Sequence, residues 1–147
     1  MRLALYQPDQ AGNVGAVLRL GACLGVVVDI IQPCGFALSD RSLKRSAMDY
    51  VGEVAVHRDW DAFVEGVAGR IVLLTTGGTK SVHDERFLAH DVLLMGSESG
   101  GVPQRVRDAV ALSVRIPIAG GARSLNLAVA AAIALAEALR QTDGWPE

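Results

Sequence analysis

Cysteine and lysine are equally scarce in this chain, two of each, and no apolar run is long enough to cross a bilayer. Cys23 and Cys34 are separated by ten residues, with no histidine at metal-ligand spacing, which fits reduced core or loop thiols better than a disulfide or a zinc site. The three histidines, His57, His83 and His90, are scattered, so ordinary surface or loop roles are expected of them and no metal centre. Lysine occurs only at Lys44 and Lys80, and the formal net charge is -2. A globally basic surface is thereby excluded, and any contact with nucleic acid has to come from a local patch. The start Met1-Arg2-Leu3-Ala4-Leu5-Tyr6 lacks the apolar region and cleavage site of a signal peptide, so a cytoplasmic protein without membrane contact is expected.

Familiar sites are missing too. Gly78-Thr79-Lys80-Ser81 looks like a phosphate loop, but the motif needs glycine directly before the lysine and another five positions earlier, where Thr79 and Leu73 stand. In Gly96-Ser97-Glu98-Ser99-Gly100, Glu98 occupies the place where a nucleophile elbow requires serine. No G-x-G-x-x-G follows the first apolar run.

What is present is an alternation of strand-like and helix-like segments over 147 residues, half of them apolar and a fifth charged. This suits one domain, residues 1–147, with a substantial core. Strands are expected at Arg2–Tyr6, Val26–Ile31, Glu53–Val56, Ile71–Thr75, Val92–Met95 and Leu112–Ile116, each short and apolar. Helices are expected from Asn13 through Cys23, over Ser39–Ala47 and Trp60–Val67, from Pro103, and over Leu127–Leu139, with Asp59 a cap for the third. Ser81 with Asp84 three residues on has the form of a capping box opening a further short helix. Such alternation predicts an α/β fold, a mostly parallel sheet with helices on both faces, and ligands outside the carboxyl ends of the strands.

Three strand-ending loops carry glycine: after Thr75, after Met95 and after Ile116. The second reads Gly96-Ser97-Glu98-Ser99-Gly100-Gly101-Val102-Pro103; the third runs from Ile116 through Ile118, Gly120, Gly121, Arg123, Ser124 and Leu125 to Asn126 and into an alanine-rich helix. Glycine lets a ligand approach the main chain closely, so replacing Gly96 by valine is expected to crowd a ligand there without unfolding the chain.

Three segments together resemble a known class. Asn13-x-Gly15-x-x-x-Arg19, the Leu94-to-Pro103 loop, and Arg123-Ser124-Leu125-Asn126-Leu127-Ala128 match, in order and spacing, the motifs of the SPOUT (α/β-knot) RNA methyltransferases. Leu5-Tyr6-Gln7-Pro8, Gln32-Pro33-Cys34-Gly35-Phe36 and Leu43-Lys44-Arg45-Ser46-Ala47-Met48-Asp49-Tyr50 are similar to the minimal branch that methylates the 2′-oxygen of the tRNA wobble nucleotide, position 34, a cytidine or modified uridine. The resemblance implies a C-terminal trefoil knot, S-adenosylmethionine as methyl donor with S-adenosylhomocysteine as product, no metal, tRNA as partner and a homodimer. It implies a cofactor site of Leu74, Thr75, Gly96, Glu98, Gly101, Ile116, Ile118, Ser124, Leu125 and Asn126, and catalytic roles for Arg19 and Asn13. Guanidinium keeps its proton, so Arg19 is expected to stabilise developing negative charge or to fix a phosphate.

Plainer readings stand beside these. Asn13 serves equally as a helix cap or a substrate contact, Arg19 as a catalytic donor or an ion-pair partner of Glu98, and Glu98 as a brace through backbone N–H groups. Asn126 also suits a cap. Arg41, Lys44 and Arg45 fall on one helical face, either solvated or contacting RNA phosphates. The chain departs from many relatives at Ser97, where they carry proline, at Gly100, where they carry arginine, and at Ala136, where they carry tyrosine. Alternatives are methylation of another tRNA or rRNA site, or a non-catalytic RNA-binding protein that keeps the fold.

Overall fold

The computed structural model describes residues 1–39 and 52–147. Seven strands form one sheet: β1 Arg2–Tyr6, β2 Val27–Ile31, β3 Val54–His57, β4 Ile71–Leu74, β5 Lys80–Ser81, β6 Val92–Met95 and β7 Leu112–Arg115. Their order is β3-β2-β1-β6-β4-β7-β5, and every pairing is parallel. Four helices are described: α1 Ala11–Leu24, α2 Trp60–Glu65, α3 Gln104–Ala109 and α4 Leu127–Gln141.

Side chains alternate across a strand, and the two faces of this sheet carry different cores. Leu3, Leu5, Val28, Ile30, Leu93 and Met95 pack against Val14, Val17 and Leu18 of α1 and Ala131, Ala134, Leu135 and Ala138 of α4. Ala4, Tyr6, Leu73, Val92 and Leu94 turn the other way, onto Trp60 and Phe63 of α2 and Val106 of α3. Helices thus cover both faces, as the alternation of segments predicts. The fully buried carboxylates Asp29, midway along β2, and Asp91, just before β6, are ion-paired with Arg2 and Arg70, which offsets the cost of burying them.

The pairing register holds the strands level. Leu5 and Leu74 each lie opposite Met95, and Leu74 opposite Val114. The loops that leave β1, β4, β6 and β7 therefore emerge together at one edge. The chain winds outward from β1 through β2 and β3, then returns to lay β4 and β6 on the other side of β1. The crevice at such a reversal is where ligands bind in open parallel sheets.

Three local expectations change. Asn13 does not cap α1: the helix starts at Ala11 with Gln10 at the cap position and no side-chain cap bond, which leaves Asn13 in the first turn, buried and free to bond elsewhere. Ser81 opens no helix, because Lys80 and Ser81 pair with Val114 and Arg115 as edge strand β5. The residues after β5 form turns and no helix, so Ser81 has no helical N–H groups to cap. The helix expected over Ser39–Ala47, with Arg41, Lys44 and Arg45, falls beyond Ser39 outside the described residues. Asp59 caps α2 as expected, its Oδ1 accepting from the Ala62 N–H at 2.8 Å.

Candidate active site

The loops at the carboxyl edge surround a cavity of about 620 Å³, a size usual for small-molecule sites. Its wall includes all ten residues expected to hold a cofactor: Leu74, Thr75, Gly96, Glu98, Gly101, Ile116, Ile118, Ser124, Leu125 and Asn126. They come from three loops, after β4, β6 and β7. Asn13 joins them from α1, whereas Arg19, exposed farther along that helix, is not part of the wall. Gln10, Met95, Ser97, Gly100 and Arg107 also line it. None of these five carries a sequence signal as a ligand contact.

Glu98 is the anchor of the β6 loop. Its Oε2 accepts from the main-chain N–H of Asp9 at 2.7 Å, and its Oε1 from Asn13 Nδ2 at 2.8 Å. Because a carboxylate only accepts, Asn13 must present its amide nitrogen there and its oxygen to the other side. That Oδ1 accepts from Asn126 Nδ2 at 2.9 Å. Asn126 in turn uses its Oδ1 to cap α4, accepting from the N–H groups of Ala128 at 2.9 Å and Val129 at 3.3 Å. One directional series of bonds therefore ties the β1 loop, the β6 loop, the first turn of α1 and the start of α4. Glu98 braces, as its plainer reading proposed, and Asn126 is both a cap and a link to Asn13.

A second tie runs between the same loops. Ser99 Oγ and Ser99 N–H donate to Asp9 Oδ2 at 2.6 and 2.8 Å. Those bonds, the hydroxyl first, hold the Asp9 carboxyl below its ordinary range. The β6 loop also closes on itself, with Ser97 and Gly101 exchanging backbone bonds of 2.9 Å in each direction. Gly101 adopts a left-handed φ of 63°, which glycine takes without steric cost. A Cβ on Gly96 would stand 2.5 Å from the Gly101 carbonyl carbon and 2.7 Å from its Cα. The expected effect of Gly96→Val is thus corrected: the added side chain meets the loop's own backbone before any ligand. Cys34, half-buried behind this loop, has its thiol pKa raised, chiefly by burial and then by the Glu98 charge.

Among the described residues no cluster of three or more His, Cys, Asp or Glu is arranged to hold a metal ion. The wall instead joins Leu, Ile and Met side chains to glycine-rich main chain, amides and a hydroxyl. Such a surface suits a flat heteroaromatic group read by main-chain polar atoms, with a polar tail toward the rim.

The family model for the SpoU rRNA Methylase family matches residues 1–136. The chain belongs to that family. Among its relatives is a protein of Beijerinckia indica named tRNA (cytidine(34)-2'-O)-methyltransferase, 48% identical over 144 residues, 95% of this chain and 90% of that protein. One of the same name from Ancylobacter novellus is 43% identical over 99% of this chain and 95% of its own length. A solved structure bearing on the 2-OH methylation of C/U34 on tRNA superposes with a TM-score of 0.89 at 40% identity, covering 95% of this chain and 94% of that one. The SpoU methyltransferase AviRb of Streptomyces viridochromogenes, solved with AdoMet, gives a TM-score of 0.85 at 26% identity over 96% of this chain and 60% of its own.

Proposed function

We propose that the protein is an S-adenosylmethionine-dependent 2′-O-methyltransferase acting on the wobble nucleotide, position 34, of tRNA. The observation that carries this reading is the convergence of three glycine-bearing loops on one cavity whose wall contains every residue expected to hold the cofactor. The near full-length likeness to proteins named for that reaction supports the substrate.

The cofactor supplies an already activated methyl group, so the residues have to orient, exclude water and manage a proton. Leu74, Ile116, Ile118 and Leu125 would enclose the adenosyl portion, and the main chain at Gly96 and around Ser124 would read its polar edge. The Glu98–Asn13–Asn126 series holds these loops in position before either ligand arrives, so little ordering is left to be done on binding. Arg19, exposed on α1, would meet the substrate after it docks over the cavity mouth and offset charge developing on the ribose oxygen. The Arg41, Lys44 and Arg45 face is proposed to contact tRNA phosphates.

Two features of the resembled class belong to the same reading. The segment after β7, the strand beside edge strand β5, crosses back over the sheet to place α4 on α1 and β6, a course compatible with a threaded C-terminal knot. On α4, Val129 and Ile133 are 48% and 39% exposed one turn apart, and we assign this apolar strip to a homodimer interface. The working compartment would be the cytoplasm, with tRNA.

Arg19→Ala tests the chemistry. Loss of a donor aimed at a developing oxyanion is typically worth ~3 kcal/mol, about a hundredfold or more in rate. The variant should bind S-adenosylmethionine normally by calorimetry and methylate tRNA at least that much more slowly in single turnover. A near-normal rate would remove Arg19 from the reaction.

A further inference from the structure

Arg107 brings a cation to this cavity that neither the resemblance nor the relatives' names assign a role. It lies on α3, on the sheet face opposite α1 and α4, and its Nε donates to the Val102 carbonyl at 3.3 Å. That bond fixes the base of the guanidinium against the end of the glycine loop. Its neighbours on α3 are turned elsewhere: Gln104 donates to Asp108 at 2.7 Å, and Arg105 lies 3.9 Å from Asp61. Among the described residues Arg107 has no carboxylate partner and is the only Lys or Arg in the wall. Its Nη2 stands 3.8 Å from where a Cβ on Gly101 would be, so the side-chain-free Gly100-Gly101 pair leaves the guanidinium open to the mouth.

The other charged residue described in the wall is negative. Glu98 belongs to the wall and Asp9 is tied to Ser99 beside it. A ribose that offers its 2′-oxygen to the cavity carries its 3′-phosphodiester on the adjacent carbon, so an oxyanion necessarily arrives at the rim with it. Two acidic groups would repel that oxyanion, and a planar fork with two open N–H-bearing arms is matched to receive it. We propose that Arg107 is the residue that receives the phosphodiester flanking the target ribose, so that its guanidinium binds RNA and not the carboxylate of the cofactor. The inference rests on the functional reading given above.

The test compares the wild-type protein with Arg107→Gln and Arg107→Lys. The readouts are calorimetry with S-adenosylhomocysteine, steady-state methylation of unmodified tRNA, and tRNA affinity over a range of salt concentrations. Arg107→Gln should keep its cofactor affinity within about twofold and raise the KM for tRNA roughly tenfold, with kcat changed much less. Its slope of log affinity against log salt should fall by about 0.7 to 1, as for one lost phosphate contact. Arg107→Lys should restore the salt slope and only part of the KM, since an ammonium keeps the charge without the fork. An unchanged tRNA KM and salt slope in Arg107→Gln would overturn the assignment. So would a large loss of cofactor affinity with RNA binding intact, which would place the guanidinium on the cofactor's carboxylate. A wild-type protein that methylates no tRNA would instead overturn the functional reading, and the assignment with it.

Discussion

Single residues in this site are fixed by what their atoms can donate or accept. Both groups facing Glu98 are donors, the Asp9 N–H and Asn13 Nδ2, so the position requires two acceptors. Glu98→Gln supplies one, and whichever way the amide turns, an N–H group faces another donor. A bond to a charged group is worth about 1.5–3 kcal/mol, and chemical denaturation of Glu98→Gln should show a loss of ~2 kcal/mol with weaker cofactor binding. Unchanged stability would mean that the series of bonds does not organise the site. Sequence made the gathering of residues legible, because glycine loops after strands in a parallel fold share an edge. It left Asn13 ambiguous between a cap and a contact, since the partner that decides it lies at Glu98, 85 positions away. Arg107 escaped notice because a cation on a short amphipathic helix looks like any solvated surface group.

Among the elements, strands with continuous β-branched and aliphatic residues were readable to within a residue or so, and β5 was not. Two residues carry no periodicity, and Ser81 with Asp84 imitates a helix start; only the neighbouring β7 draws Lys80 and Ser81 into extended pairing. The β6 loop gives this scale its clearest test. Since a Cβ on Gly96 would overlap the Gly101 backbone, even Gly96→Ala must open the Ser97–Gly101 closure. Forcing atoms into a packed site costs about 1–3 kcal/mol. The variant should melt earlier by a corresponding amount and bind S-adenosylmethionine at least tenfold more weakly in calorimetry. Normal melting together with normal binding would show that the loop geometry is not what forms the cavity.

At the scale of the whole molecule, the alternation of segments in the sequence announced a parallel sheet clad on both faces, and the fold has that form. The placement of β6 between β1 and β4 was not legible, because strand order depends on which faces pack and leaves no trace in the period of any one segment. It is that order which sets the β1 and β6 loops side by side for Asp9, Asn13 and Glu98 to join. The exposed strip on α4 is also a property of the whole: Ile133→Glu should turn the proposed dimer into a monomer in sedimentation at micromolar concentration, whereas a wild-type protein already monomeric there would remove the interface. The most direct test of the account is to incubate the purified protein with S-adenosylmethionine and tRNA from cells lacking it, digest the RNA, and map ribose methylation by mass spectrometry. The account predicts one new methyl group, on the 2′-oxygen of nucleotide 34; a methyl group on a base or at another nucleotide, or none at all, would contradict it.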